Sequence, residues 1–450
     1  MSFMVILSFQ YEIFAPKMQN VNAMAMSARF ERLKRHNYWT AAPADTGVPR
    51  RNYLEKLAGF SGNRLIKVLV GQRRTGKSTI LKQFIRHQID SGVHPHNIFY
   101  LNKEHLDFAD ITEWRDLDEA IQEYLKRLDI SGKVYLLLDE IQEVAGWEKL
   151  VASYSQDSRR EVELVITGSN SHMLSSELGT YLSGRYVPIA VYPFSFPEFV
   201  EAYGLQPDKG GLLDYLRCGG LPELMNLQAE EARRHYVAAL RDSVILNDIV
   251  KKFGVQDVAL LERLFHFLCA NIGSLFSVNK LVNHLKSSGT KTNVETLSRY
   301  VDHLERALVM HACSRFDIRG KDILSGARKY YVNDLAFREH LASGFDLGLS
   351  RRLENCMYLH FKALGYQVHV GQSRNLEIDF VLERADERIY AQVCYLLAEE
   401  SIIEREYRSL ESIRDNYPKM VISMDDVCFG TRNGIQHRLA WKVLNEQCEN

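Results

Sequence analysis

The chain has almost no net charge, because its 56 Lys and Arg residues are balanced by 57 Asp and Glu residues. Any basic contact with nucleic acid or a membrane surface must therefore be local. The seven cysteines are an odd number without a CxxC pair, which argues against a disulfide framework and a zinc knuckle. No apolar run reaches the ~18 residues that span a bilayer. We expect a cytoplasmic protein with reduced thiols and no membrane partner.

Strand-like and helix-like segments alternate from residue 65 to residue 192. The runs that predict strands are LIKVLV, NIFYLN, VYLLLDE, ELVITGS and YVPIAVYP. Continuously apolar strands separated by amphipathic helices are typical of a parallel sheet covered on both faces. The 450 residues exceed one ordinary domain, so we predict two to four domains.

A glycine-rich segment follows the first predicted strand and opens the next helix. It has the pattern GxxxxGK[ST], in which backbone amides surround a phosphate at a helix N-terminus. Lys77 would reach the β- and γ-phosphates, and Ser78 would ligate Mg²⁺. The residues predicted to hold ATP are Gly71, Arg74, Thr75, Gly76, Lys77, Ser78 and Thr79.

Two carboxylates follow the third predicted strand. Ligands bind at the carboxyl ends of strands in such sheets, so Asp139 is the predicted Mg²⁺ partner, mostly through water. Glu140 would orient or deprotonate an attacking water. A solvated acidic turn is the alternative, and the preceding phosphate loop argues against it.

Two further polar residues have open interpretations. Asn170 follows the fourth predicted strand and would either contact the γ-phosphate or cap the next helix. Arg185 would either act as an arginine finger, in this chain or in a neighbouring subunit, or form a surface ion pair. A role in a neighbouring subunit would require a homo-oligomer.

The motifs together resemble a large prokaryotic family of AAA-type ATPases with a C-terminal region of unknown function. The matching segments are GQRRTGKST, LLLDEIQ, ITGSN, LSGR, SFPEF, CGGLPE and KYYVNDLAFR. The resemblance implies an α/β P-loop NTPase sheet with a helical lid, then a winged helix and a small α+β restriction-endonuclease-like domain. The implied domains are an N-terminal extension at 1–50, an ATPase core at 51–200, a lid or linker at 201–252, a winged helix at 253–345 and the endonuclease-like domain at 346–450.

The predicted winged helix has two possible roles, DNA contact and protein packing. Its second half predicts two strands joined by a basic turn at Arg319 and Lys321, with Arg328 and Lys329 nearby. These side chains would contact duplex DNA. The alternative is a protein-packing module whose hairpin is only solvated.

The predicted endonuclease-like domain departs from the pattern of an active nuclease. The resemblance implies a metal-binding Asp, a helical Glu and a later Glu-x-Lys. Asp379 and Glu354 supply the first two, but the later strand offers Gln392-Val393-Cys394. We therefore expect a non-cleaving module, with Glu377 as a substitute ligand in the alternative of an active, ATP-regulated nuclease.

The sequence favours an ATPase that couples Mg-ATP binding and hydrolysis to a macromolecular partner. The partner is either duplex DNA or an unidentified protein. An ATP-dependent protein-interaction switch is a further alternative.

Overall fold

The computed structural model describes residues 28–169, 173, 182, 184–341 and 348–446. Contact density divides the chain into two units. The first holds the described residues of 28–70, 77–168 and 172–189, and the second holds those of 71–76, 169–171 and 190–450.

The first unit contains a five-stranded sheet in the order β2-β3-β4-β1-β5. Strands β1 to β4 pair in parallel, and β1, β3 and nearly all of β2 and β4 are buried, as the apolar runs predicted. The bounds are β1 Ile66–Val70, β2 Ile98–Asn102, β3 Val134–Asp139, β4 Val162–Gly168 and β5 Tyr186–Ala190. This architecture is the P-loop NTPase fold predicted from the sequence.

Helices accompany the strands of the first unit. Their bounds are α1 at 28–36, α2 Arg51–Gly59, α3 Lys77–Asp90, α4 Trp114–Arg127 and α5 Trp147–Gln156. Helix α4 begins with a capping box in which Asp116 accepts from the Glu113 amide. Part of the predicted extension packs here: Trp39 stacks on Tyr124 of α4 with ring centroids 5.5 Å apart.

The long segment of the second unit, residues 190–450, contains ten α-helices of five or more residues among those that the structure describes. Their bounds are α6 Phe196–Tyr203, α7 Lys209–Cys218, α8 Glu230–Ser243, α9 Val258–Ala270, α10 Val278–Ser287, α11 Val294–Arg306, α12 Leu335–Leu341, α13 Leu349–Ala363, α14 Glu400–Glu411 and α15 Ala440–Leu444. A π-helical segment, Val244–Val250, follows α8 directly. Pro197 in the first turn and Gly204 after the last turn bound α6, because proline suits a helix start and glycine a left-handed end.

A nine-stranded mixed sheet completes the second unit, in the order β13-β14-β12-β11-β10-β9-β7-β8-β6. The bounds are β6 Leu275–Phe276, β7 Met310–Asp317, β8 Asp322–Val332, β9 Gln367–Ser373, β10 Leu376–Arg384, β11 Glu387–Val393, β12 Lys419–Ser423, β13 Thr431–Arg432 and β14 Ile435–Leu439. Helices α9 to α11 followed by the β7–β8 hairpin have the element order of a winged helix. The predicted boundary between residues 345 and 346 stays a prediction, and β7 pairs with β9 across it.

Among the described residues, none of the helices combines the length and the apolar character needed to cross a bilayer.

Candidate nucleotide site

The phosphate loop follows β1, and its last residues begin α3. Gly76 has a φ of 94° and Arg74 a φ of 66°, both in the left-handed region. A side chain at Gly71 would lie 2.2 Å from the carbonyl oxygen of Val191, so only glycine fits there. Thr75 is buried and its hydroxyl donates to the Gln72 carbonyl at 2.9 Å. These features build the tight turn that a phosphate-binding loop requires.

Lys77 and Glu140 form an ion pair inside the first unit. Lys77 Nζ lies 3.2 Å from Glu140 Oε1, and the two side chains are 4% and 7% exposed. Glu140 directly follows β3 and has a φ of 54°, which is unusual for a residue with a side chain. The side-chain amide of Gln142 also donates to the carboxylate of Glu140. The structure therefore brings the predicted phosphate lysine and the predicted general base together.

Asp139 is fully buried and accepts three hydroxyl hydrogen bonds. Its donors are Thr167 at 2.6 Å, Tyr100 at 3.0 Å and the Ser78 hydroxyl. Burial raises the pKa of Asp139, and the hydrogen bonds of Thr167 and Ser78 oppose that rise. The Thr167 hydroxyl also accepts from the Glu140 amide at 2.9 Å.

These contacts follow from the register of the parallel sheet. Strands β3 and β4 pair from Val134 with Val162 to Leu138 with Ile166, so the register brings Asp139, the last residue of β3, next to Thr167 near the end of β4. The carboxylate of Asp139 and the hydroxyl of Ser78 are oxygen donors of the kind that Mg²⁺ prefers. The residue types therefore fit the predicted magnesium ligands. The sequence alone gave no role to Thr167 or Tyr100, although a polar residue ending a buried strand was a usable signal.

The two remaining site predictions differ in their placement. Asn170 lies outside the described residues. Arg185 is exposed, and its carbonyl accepts from the amide of Ile66 at the start of β1. The phosphate loop leaves the other end of β1, roughly 13 Å away for a strand of this length. The backbone of Arg185 therefore lies at the end of β1 opposite to the phosphate loop.

A second cluster of ionisable groups lies in the second unit. Lys329 Nζ, from β8, lies 2.9 Å from Glu354 of α13, 2.8 Å from Glu377 and 3.3 Å from Asp379, both of β10. The hydroxyl of Tyr331, also from β8, donates to Glu354 at 2.6 Å. The side chains of Lys329, Glu354 and Asp379 are 4%, 10% and 11% exposed, whereas that of Glu377 is 42% exposed.

The carboxylates of this cluster stabilise the charged form of Lys329. Burial alone would lower the pKa of Lys329, but Glu354, Asp379 and Glu377 together raise it well above its usual value. Burial raises the pKa of Glu354 to about 7, against the opposing effect of Lys329. One ammonium group therefore faces three carboxyl groups.

The sequence groups Lys329 with the basic turn predicted to contact DNA, but the structure buries this side chain among the carboxylates. The nuclease pattern expects its lysine on the strand after Asp379. Gln392 on that strand, β11, instead accepts from the Asp379 amide at 3.2 Å. A lysine at the border of the buried run YYV was the available signal, because lysine is almost never fully buried unless it is paired.

The strand, phosphate loop and helix, with Asp139 ending β3 on the far side of β4, define the nucleotide site of a P-loop NTPase. Comparison with known proteins identifies the family within this class. Its sequence matches the model of the AAA domain over residues 63–200 and that of a domain of unknown function (DUF8612) over residues 210–351. An uncharacterized protein of Haemophilus influenzae is 36% identical over 381 residues, which cover 84% of this chain and 93% of that protein. The chain belongs to the family of AAA-type P-loop ATPases.

Two more distant similarities were found. An uncharacterized protein of Methanocaldococcus jannaschii is 28% identical over 385 residues, which cover 81% of this chain and 83% of that protein. The solved structure of the Aeropyrum pernix ORC1 protein in complex with DNA is 17% identical. The match covers 68% of this chain and 96% of the ORC1 chain, with a TM-score of 0.32.

Proposed function

We propose that this chain is a Mg²⁺-dependent ATPase that couples ATP binding and hydrolysis to a macromolecular partner. The observation that carries the proposal is the joint placement of Lys77, Glu140 and Asp139 at the carboxyl ends of the sheet strands. Membership of the AAA-type family supports nucleotide-dependent activity.

The ion pair of Lys77 and Glu140 suggests how binding prepares hydrolysis. Bound phosphates would attract Lys77 and release Glu140 from it. Glu140 would then accept a proton from water as the water oxygen attacks the γ-phosphorus and the bond to the leaving ADP oxygen breaks. Ser78 and Asp139 would hold Mg²⁺, which neutralises charge on the phosphates. Thr167 would keep Asp139 and the Glu140 backbone in place.

Steady-state ATP hydrolysis tests the proposal directly. We expect Glu140→Gln to bind ATP but to lose at least about 100-fold in kcat, because it removes the proton acceptor. Lys77→Ala should lose ATP binding itself. Glu143→Gln is the matched control, since Glu143 is an exposed carboxylate in the same turn, and should keep the wild-type rate. ATP binding by Lys77→Ala at wild-type affinity would refute the assignment.

The placement of Arg185 supports a role in assembly. An exposed arginine at the opposite end of β1 is better suited to the site of a neighbouring copy than to its own. We propose that any finger role of Arg185 is exerted in a homo-oligomer. ATP hydrolysis by the Arg185→Ala protein alone is compared with hydrolysis by a mixture of the Arg185→Ala and Lys77→Ala proteins. Only an arginine finger that acts on a neighbouring copy restores activity in the mixture, because the Lys77→Ala protein then supplies the arginine to an intact ATP site.

The carboxylate cluster favours a second function, ATP-regulated cleavage of phosphodiesters. Lys329 supplies the cation that the sequence pattern lacked, beside Asp379, Glu354 and Glu377. A divalent metal on the carboxylates would activate water, and Lys329 would stabilise charge on the pentacoordinate phosphate.

Nicking of supercoiled plasmid with Mg²⁺ or Mn²⁺, with and without ATP, tests this second function. We expect Asp379→Asn and Lys329→Met to abolish nicking. Glu383→Gln should leave it intact, because Glu383 lies on the same strand but pairs with Arg388. Nicking that survives Asp379→Asn would come from a contaminant, and no nicking by the wild type under any condition would remove this function.

A further inference from the structure

The motif KYYVND contains a residue that neither proposed function uses. Asn333 directly follows β8 and is 2% exposed. Its Nδ2 donates to Oε1 of Gln72, a fully buried residue of the phosphate loop, at 2.9 Å. Both residues belong to the second unit, which includes residues 71–76. A side chain 261 positions away in sequence thus holds the loop.

The orientation of the Asn333 amide is fixed from the other side. His311 Nε2 lies 2.9 Å from Asn333 Oδ1. Burial lowers the pKa of His311 to about 4, so its ring is neutral near pH 7. Because the Asn333 Nδ2 group donates to Gln72, its Oδ1 must accept from His311. The backbone N–H of Asn333 also donates to the Val309 carbonyl at 2.9 Å. These two contacts hold both the backbone and the side chain of Asn333 in place, so its Nδ2 group stays directed at Gln72.

The next loop residue is held as well. Arg73 Nε lies 2.9 Å from both carboxylate oxygens of Asp248. Asp248 is 9% exposed and belongs to the π-helical segment Val244–Val250. Such π-turns occur frequently at functional sites. Two consecutive residues of the phosphate loop thus bond to side chains beyond residue 240.

We infer that Asn333 is a positioning residue for nucleotide binding. It acts through Gln72, whose carbonyl accepts from Thr75 and so sets the curvature of the loop. A loop held in its phosphate-binding shape avoids part of the ordering cost of binding. ATP and ADP should benefit alike, whereas the hydrolysis step should not. The inference rests on the proposed ATPase function.

The test separates KM from kcat. Asn333→Ala removes one buried hydrogen bond to the loop, so we expect KM for ATP and Kd for ADP to rise about 5- to 10-fold. The kcat should stay within about twofold of wild type. Asn355→Ala is the matched control, because Asn355 is also fully buried but bonds to Val332 instead of the loop. It should lower the melting temperature without raising KM.

A second variant tests whether Asn333 acts through Gln72. Gln72→Met removes the acceptor and should raise KM as Asn333→Ala does. The double variant should then show no further rise, because both changes break the same bond. Equal KM increases in the Asn333→Ala and Asn355→Ala proteins, additive effects in the double variant, or an unchanged KM would each overturn the inference. A wild type that neither binds nor hydrolyses ATP would instead refute the proposed function itself.

Discussion

At the scale of single residues, the nucleotide site depends on Thr167. One hydroxyl donates to Asp139 at 2.6 Å and accepts from the Glu140 amide at 2.9 Å. Glu140 has a left-handed backbone, which costs about 1–3 kcal/mol for a residue with a side chain. The bond from its amide to Thr167 helps to hold that conformation. Backbone strain of this kind clusters at active sites.

His311 provides a pH-dependent prediction at the same scale. Burial lowers its pKa to about 4, whereas the unfolded chain would protonate near 6.5. Between these values the unfolded state binds more protons, so stability falls as pH falls from 6.5 to 4. The loss should approach about 3 kcal/mol. We expect His311→Gln, which keeps an N–H donor for Asn333, to remove this part of the pH dependence.

Unfolding curves of both proteins at several pH values between 4.5 and 7.5 would check the prediction. The wild type should lose stability toward low pH more steeply than His311→Gln. Parallel curves would show that His311 is already protonated at neutral pH or that another group dominates.

At the scale of elements, the β7–β8 hairpin has two different ends. The first half of β8 is largely exposed and follows the turn with Arg319 and Lys321. The second half is buried, and it carries Lys329 and Tyr331 to Glu354. The alternation of side chains along a strand places Lys329 and Tyr331 on one face. The hairpin thus combines a basic tip with a structural base.

The basic tip is the element predicted to contact DNA. Arg319→Ala with Lys321→Ala should weaken binding to duplex DNA at low salt, because two phosphate contacts are lost. The slope of log affinity against log salt should become shallower by about 2. Fluorescence anisotropy with a labelled duplex measures both quantities.

A control removes a positive charge from a different position. Arg374→Ala removes an arginine from another turn of the same sheet and should leave the slope unchanged. An unchanged slope in the Arg319→Ala and Lys321→Ala double variant would assign the hairpin to packing alone and move the search to a protein partner.

At the scale of the whole chain, the second unit is more extensive than the sequence predicted. After residue 353 the sequence predicts strands in YQVHVG, EIDFVLE and YAQVCYLL, and these runs form β9, β10 and β11. Strands β12 to β14 and helix α14 were not predicted. Segments as short as Lys419–Ser423 and Thr431–Arg432 show too little periodicity to predict a strand. The pairing of β7 with β9 joins these strands to the hairpin in one sheet.

The sequence by itself determined the phosphate loop, the two carboxylates at the end of β3 and the parallel pairing of the first sheet. These features depend on contiguous residues and local periodicity, which a sequence displays directly. Only the tertiary structure decided the partners of Lys329, the link from Asn333 to Gln72 and the position of Arg185. Each depends on strand register and on contacts between residues tens to hundreds of positions apart, and neither is encoded by local spacing.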